Sequence, residues 1–305
     1  MIDISIIIVN YNVKEYIVDC IQSIIRWTPQ TIQYEIIVVD NNSQDGSVNA
    51  LETKFPEITI LKNKNNIGFT RAINQGANIA NGAYLFLLNP DTLFLEDSMT
   101  TLYSFLERNR HVGIVGPKLI STDENIQQSY WKYPTLISSL LSIYHLDFLN
   151  NNKNHAHYDK SNYLSVDAIS GGAFFLAKNL FNDLNGFNDN LFWMEDMDFC
   201  KRASTLGHKI AYLPNTKLIH YIGKSSEKNW VVTISNRLLS KIKYFKLHHG
   251  SSEVMTLITA IYLLVVVKCA YLLFLSPFSS VYRKKFIGYL TTLKLLLNKQ
   301  YQIGL

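Results

Sequence analysis

Along the N-terminal half of the chain, short apolar runs take turns with longer segments whose apolar residues recur at helical spacing. Ile4 to Val9 is an unbroken, β-branched run, the pattern of a strand covered on both faces, and Val13 to Trp27 then shows the helical period. The alternation repeats. Strand Tyr34 to Asp40 leads to a helix from about Ser47, strand Ile58 to Leu61 to a helix from about Phe69, and strand Ala83 to Leu88 to a helix after Glu96. Val112 to Val115 reads as a fifth strand. Strands alternating with helices build a mostly parallel sheet with helices on both faces, so the pattern predicts an α/β fold. The asparagine-rich stretch Asn150 to Asn154 reads as a loop. Order returns with Ser165 to Leu176, an acidic helix from about Glu195 to Leu206, and short strands near Ile210 to Leu213 and Lys217 to His220.

The C-terminal pattern is different. Val254 to Leu275 is almost wholly apolar and exceeds the roughly 20 residues needed to cross a bilayer. Lys268 interrupts it, and basic clusters flank it on both sides, at Arg237 to Lys246 and at Arg283 to Lys285. A single crossing would place one cluster on the wrong side. Pro277 and a second apolar stretch, Phe286 to Leu297, fit a helical hairpin that lies in the cytoplasmic leaflet or packs against a second subunit. An ordinary helical cap is the alternative. The expected division is a catalytic domain over residues 1–250 and an apolar, basic helical region over residues 251–305 that associates with a membrane or dimerises.

Composition narrows the class. A chain of 305 residues with 48% hydrophobic content buries a substantial core, and 17% charged residues argue against disorder. The net charge of +5 gathers after Arg237, which points to an acidic membrane surface before nucleic acid. Cys20, Cys200 and Cys269 have neither metal-ligand spacing nor a pairing pattern, as expected in a reducing cytoplasm, and the N-terminus has no basic region of a signal peptide.

In open α/β sheets ligands bind beyond the carboxyl ends of the strands. Here those ends are Asn10-Tyr11-Asn12, Asp40-Asn41-Asn42-Ser43, Asn63 to Phe69, and Asn89-Pro90-Asp91, all polar and none the G-x-G-x-x-G turn of a dinucleotide dehydrogenase. Further along, Gly186 to Asp198 crowds Asp189, Glu195, Asp196 and Asp198 with Phe192 and Trp193 at the mouth of the acidic helix. A carboxylate held beside apolar rings has its pKa raised toward that of a working base. Acids in a first helical turn also complement the helix dipole, and the same residues fit that simpler role.

Read in order, these pieces resemble the family 2 glycosyltransferases of the GT-A fold, particularly the rhamnosyltransferase-like branch that builds bacterial surface polysaccharides. The resemblance rests on Ser5 to Asn12, Val38 to Ser43 with Asp45-Gly46-Ser47, Asn66-Ile67-Gly68-Phe69 with Asn74 and Gly76, Asn89-Pro90-Asp91-Thr92, Gly171-Gly172-Ala173-Phe174, the acidic segment, and His220 with Gly223 and Ser225. It covers roughly the first 250 residues and implies an enzyme that moves a sugar from a nucleotide diphosphate to a hydroxyl of a growing, lipid-linked saccharide, with inversion. By the resemblance, Asp40 bonds the pyrimidine base, while Tyr11, Asn66, Gly68 and Asn74 line the nucleotide pocket. Asn89 and Asp91 stand at the family's Asp-x-Asp motif, Asp91 with His220 holds Mg²⁺ or Mn²⁺, Asp196 is the base, and Trp193 and Glu195 shape the acceptor side. Asn89 replaces the family's first acid, which suggests a deoxyribose donor such as dTDP-rhamnose. The expected setting is the inner face of the cell membrane, with a possible homodimer through the C-terminal helices. A catalytically silent nucleotide-sugar or polysaccharide-binding subunit is the competing reading.

Overall fold

A computed structural model of the chain describes residues 2–149, 157–158, 163–221 and 230–300. The asparagine-rich stretch, and with it Gly223 and Ser225, lies outside the described residues. The first run of branched apolar residues forms β1 (Ile4–Asn10), followed by α1 (Lys14–Trp27), β2 (Tyr34–Asp40), α2 (Ser47–Lys54), β3 (Thr59–Lys62), α3 (Phe69–Ile79) and β4 (Tyr84–Leu88). Next come β5 (Thr92–Phe94), α4 (Ser98–Arg108), β6 (Val112–Ile120), β7 (Tyr130–Trp131), α5 (Leu136–Ile143), β8 (His157–Tyr158), β9 (Leu164–Val166), β10 (Ala168–Ile169) and β11 (Ala173–Ala177). The chain continues through α6 (Lys178–Asp183), α7 (Glu195–Thr205), β12 (Lys209–His220), α8 (Trp230–His248), α9 (Ser251–Leu275) and α10 (Ser280–Leu297).

β1 shows why the layers form. All seven of its residues are buried, and because successive side chains point to opposite faces, Ile4, Ile6 and Ile8 enter one core while Ile7 and Val9 enter the other. The first core takes Ile17, Ile21 and Ile24 of α1 with Met99 and Leu102 of α4. The second takes Ala72 and Ile73 of α3 with Phe199 and Cys200 of α7. Helices therefore cover both faces, as the alternating pattern predicts.

Sheet order is β3-β2-β1-β4-β11-β6-β12-β9-β8, with β5 added along β12. The first four strands are parallel. Beyond them the sheet is mixed: β11 runs antiparallel to both β4 and β6, and the pair Ala173↔Leu88 brings the Gly171-Gly172 turn to the carboxyl end of β4. The two short strands expected near Ile210 and Lys217 are one strand, β12, irregular between Leu213 and Lys217. Its far end pairs with β5, His220 opposite Thr92, which delivers the histidine beside Asp91.

The chain divides into two compact units, one of Met1–Tyr133, Ala156–Asp189 and Glu195–Ser225, the other of Pro134–His155, Asn190–Met194 and Ser226–Leu305. The division thus falls before residue 250, and α8 groups with the C-terminal helices. Ile242, Tyr244 and Phe245 of α8 are fully buried, and Ser235 bonds Thr292 Oγ1 of α10 at 3.0 Å, so this helix has its partners in the second unit. In that unit α9 and α10 form the expected hairpin, and Tyr144 after α5 donates to the Ala260 carbonyl of α9 at 3.0 Å.

Candidate active site

The polar strand ends knit into two adjoining networks in the first unit. At the ends of β1 and β2, Asn10 Nδ2 donates to Asp40 Oδ1 (2.7 Å) and Ser47 Oγ (2.7 Å), and the Ser43 amide donates to Asp40 Oδ2 (2.9 Å). Asp40 is 3% exposed, so its carboxylate is anchored by the chain on both oxygens. Asp45 joins the Lys14 amide (2.8 Å) to Ser47. Burial pushes the Asp45 carboxyl up, but the bonds from Ser47 and the Lys14 amide outweigh it and hold the group below its ordinary value. Asn12 and Asn42 adopt left-handed backbone at φ +55° and +66°, which asparagine tolerates, and Tyr11 stands exposed at the rim. The resemblance singles out Asp40 and Tyr11; the supporting roles of Asn10, Ser43 and Asp45 emerge only in the folded chain.

Gly68 caps α3 at φ +88°, a conformation that favours glycine, and its amide donates to Asn66 Oδ1 at 3.0 Å. Asn74, expected to line the nucleotide pocket, has partners of its own in the chain. Its amide accepts from Phe187 N (3.0 Å) and donates to Phe187 O (2.9 Å) and Asp189 Oδ1 (2.9 Å), so it clamps the start of the acidic segment.

The second network joins β4, β12 and α7. Asp91 Oδ1 and His220 Nε2 lie 3.4 Å apart, with Asn89 Nδ2 also 3.4 Å from that nitrogen. Gln127 holds the ring. Its Nε2 donates to the His220 carbonyl at 2.7 Å, which fixes the amide's orientation and leaves Oε1 to accept from Nδ1 at 3.2 Å. In the neutral ring this tautomer puts the lone pair on Nε2, the nitrogen turned toward Asp91 and Asn89. Two protein ligands of one hard cation bound at about 2.1 Å lie about 3 Å apart, so Asp91 and His220 fit such an ion after a small closure. Among the described residues no third acid, histidine or cysteine joins them, and the remaining ligands would have to come from a diphosphate and water.

The diglycine turn links this pair to the acidic helix. The Gly172 carbonyl accepts from Asn89 N at 3.0 Å, while the Gly171 amide donates to Asp196 Oδ2 at 3.0 Å. A methyl group on Gly171 would sit 3.6 Å from that same oxygen, and one on Gly172 would sit 3.4 Å from His220 Cε1. Asp91, His220 and Asp196 thus gather around one turn. Asp196 is half-buried, and burial raises its pKa even though the Gly171 and Met197 amides pull it down.

The acids of this segment divide their duties. Asp198 is 1% exposed and pairs with Arg202 at 2.8 Å; the same guanidinium donates to the carbonyls of Leu184 (2.6 Å) and Gly186 (3.0 Å). Asp189 receives Asn74 and approaches Arg71 at 3.6 Å. Glu195 is half-buried in the first turn of α7. Trp193 belongs to the second unit, is exposed, and holds φ +84°, a backbone state that costs a bulky residue on the order of 1–3 kcal/mol.

Comparison with known proteins follows the same outline. The family model described as "Glycosyl transferase family 2" matches residues 5–184, and one described as "N-terminal domain of galactosyltransferase" matches residues 153–224. The N-acetylglucosaminyl-diphospho-decaprenol L-rhamnosyltransferase of Mycobacterium tuberculosis is 23% identical over 210 residues, 64% of this chain and 68% of that protein. Glycosyltransferase GlyG of Streptococcus pneumoniae is 30% identical over 116 residues, 37% and 38% of the two chains. Among solved structures, GalNAc-T7 with UDP, GalNAc and Mn2+ superposes with a TM-score of 0.63 at 16% identity, over 81% of this chain and 48% of that one. Mannosyltransferase PcManGT from Pyrobaculum calidifontis, in complex with GDP-Man and Mn2+, gives 0.56 at 16% identity over 97% and 86%. These likenesses show a shared GT-A fold.

Proposed function

We propose, for a chain that belongs to glycosyl transferase family 2 and is a glycosyltransferase, an inverting transfer of a sugar, with rhamnose from dTDP-rhamnose as the leading donor, to a hydroxyl of a lipid-linked surface saccharide. The observation that carries this reading is the gathering of Asp91, His220 and Asp196 around Gly171-Gly172. The rhamnosyl donor and lipid-linked acceptor follow the resemblance to the mycobacterial rhamnosyltransferase. The neutral Asn89, in place of an acid, suits a donor whose nucleotide lacks the ribose 2′-hydroxyl.

In this reading the nucleotide lies over the carboxyl ends of β1 and β2. Asp40 offers its remaining lone pairs to the ring N3–H of the pyrimidine, while Tyr11, Asn66 and Gly68 bound the pocket. Asp91 and His220 would hold Mg²⁺ or Mn²⁺ together with the diphosphate. That ion, when bound, neutralises charge on the departing nucleotide. Asp196 accepts the proton of the attacking hydroxyl, and its raised pKa makes it a stronger base than an exposed aspartate. Glu195 shapes the acceptor side; Trp193, expected to share that role, belongs to the second unit, and its strained backbone is consistent with a working position there. The enzyme acts at the cytoplasmic face of the membrane.

A donor panel with and without Mn²⁺ tests the reading. Nucleotide release from dTDP-rhamnose should depend on metal and exceed release from UDP-sugars. Asp196→Asn should abolish transfer, a loss of roughly 10²–10⁴-fold or more, while calorimetric nucleotide affinity stays nearly constant. Retained turnover in that variant would remove Asp196 from the role.

A further inference from the structure

We propose that the second unit docks on an anionic lipid bilayer through one face of α9, with the helix lying along the membrane instead of crossing it. This rests on the membrane location proposed above and adds the surface that makes the contact. α9 is apolar all round, yet it divides cleanly by exposure. Val254, Leu257, Ile261, Val265 and Leu272 are buried within the unit. On the other side Leu263, Val267, Tyr271 and Phe274, spaced four, four and three residues apart, form an exposed row that continues to Phe278 in the following turn. Phe274 is 75% exposed and Phe278 83%. A continuous apolar row of this kind on a soluble surface marks a contact site.

The one ionic side chain between Val254 and Tyr282 is Lys268, and its place decides the orientation. It follows Val265 by three residues and precedes Leu272 by four, so it lies on the packed row and is half-buried. The exposed row therefore carries no charge, although the sequence of α9 is interrupted by one. A crossing helix would have to take that packed face, its lysine and its neighbouring helices into the hydrocarbon, and among the described residues no second helix is long and apolar enough to accompany it. A helix held in the interface leaves the packed face where it is.

Charge selects the occupant. Beyond the aromatic end of the row, Arg283 and Lys284 are exposed and followed by Lys285, the arrangement that meets acidic headgroups. A second copy meeting the row through its own α9 and α10 would set basic residues against basic ones, since Glu253 is the one acid in those two helices.

Flotation of the full chain with sealed vesicles tests this. The chain should rise with vesicles of phosphatidylcholine containing phosphatidylglycerol and at least tenfold less with phosphatidylcholine alone. Two variants, Leu263→Ser/Val267→Ser/Phe274→Ser and Arg283→Glu/Lys284→Glu, should each lower the bound fraction severalfold, with nucleotide binding kept as the check on folding. In a Cys269→Ser background, cysteines introduced at Ser252 and Ser280, both exposed and outside the apolar row, should both be modified from outside the vesicle by an impermeant maleimide. Modification at one end alone means a crossing helix and overturns the proposal. So does failure to float together with a dimer that the triple variant converts to monomer, which makes the face a contact between copies. Donor turnover is read on the wild-type samples: failure of the wild-type chain to float while turnover is intact overturns this inference alone, whereas absent turnover in a chain that floats overturns the transfer reading alone.

Discussion

Asp196 and Asp198 stand two residues apart and meet opposite fates. Asp198 is buried against Arg202, whereas Asp196 receives amide donors and, among the described residues, no cation, so burial raises its pKa. The i,i+4 spacing of Asp198 and Arg202 was the sign in the sequence that one acid was spoken for; nothing local said that the other would meet Gly171, 25 residues away. The raised pKa has a consequence for stability. Below the ordinary aspartate value near 4, the carboxyl is protonated folded or unfolded and costs nothing; as pH rises through the raised folded value, ionisation destabilises the native state. Asp196→Asn should therefore match the wild-type melting temperature near pH 4 and exceed it increasingly toward neutrality. A difference independent of pH in thermal melts would mean the carboxylate is not penalised by its site. Removing Asp198 should do the reverse: Asp198→Ala leaves Arg202 without its buried partner and should cost about 3 kcal/mol in urea unfolding. Gln127 belongs to the same scale. Gln127→Leu frees the His220 tautomer and should weaken Mn²⁺ binding in the presence of nucleotide diphosphate by roughly 10–100-fold, read by calorimetry.

Elements explain which parts of the fold could be read in advance. β1 to β4 form from contiguous apolar runs, and the helix after each strand returns the chain to the next position, so local pattern and topology agree. β11 and β12 could not be placed that way, because their partners lie far along the chain and apolar runs carry no record of pairing direction. α3 shows how closely an element can be specified. At Gly76 an added Cβ would meet Ile7 Cγ2 at 2.6 Å and Val39 Cγ2 at 3.2 Å, so helix and sheet approach where no side chain fits. Gly76→Ala should cost about 1–3 kcal/mol by overpacking. Gly68→Ala meets open space and fails for another reason, its φ of +88°, at roughly 1–2 kcal/mol. Urea titration separates the pair from neutral surface changes.

At the scale of the whole chain, two units with separate cores respond to different ligands. Ligands stabilise what they bind, so nucleotide diphosphate with Mn²⁺ should raise the thermal transition of the first unit, and anionic vesicles that of the second. Calorimetry with each ligand in turn checks this, and a single transition shifted equally by both would contradict it. The sequence placed the boundary at residue 250 because the family resemblance runs to about there and the long apolar run begins just after; Ile242, Tyr244 and Phe245 of α8 are buried, and that helix groups with the second unit. One small feature governs how such a chain can diverge. Gly171 and Gly172 act as a fixed stride between Asp196 and Asn89, each peptide group tied to one of them. An insertion there would throw both ends out of step at once, so new acceptors are better won by reshaping the surrounding surface than by editing the ruler.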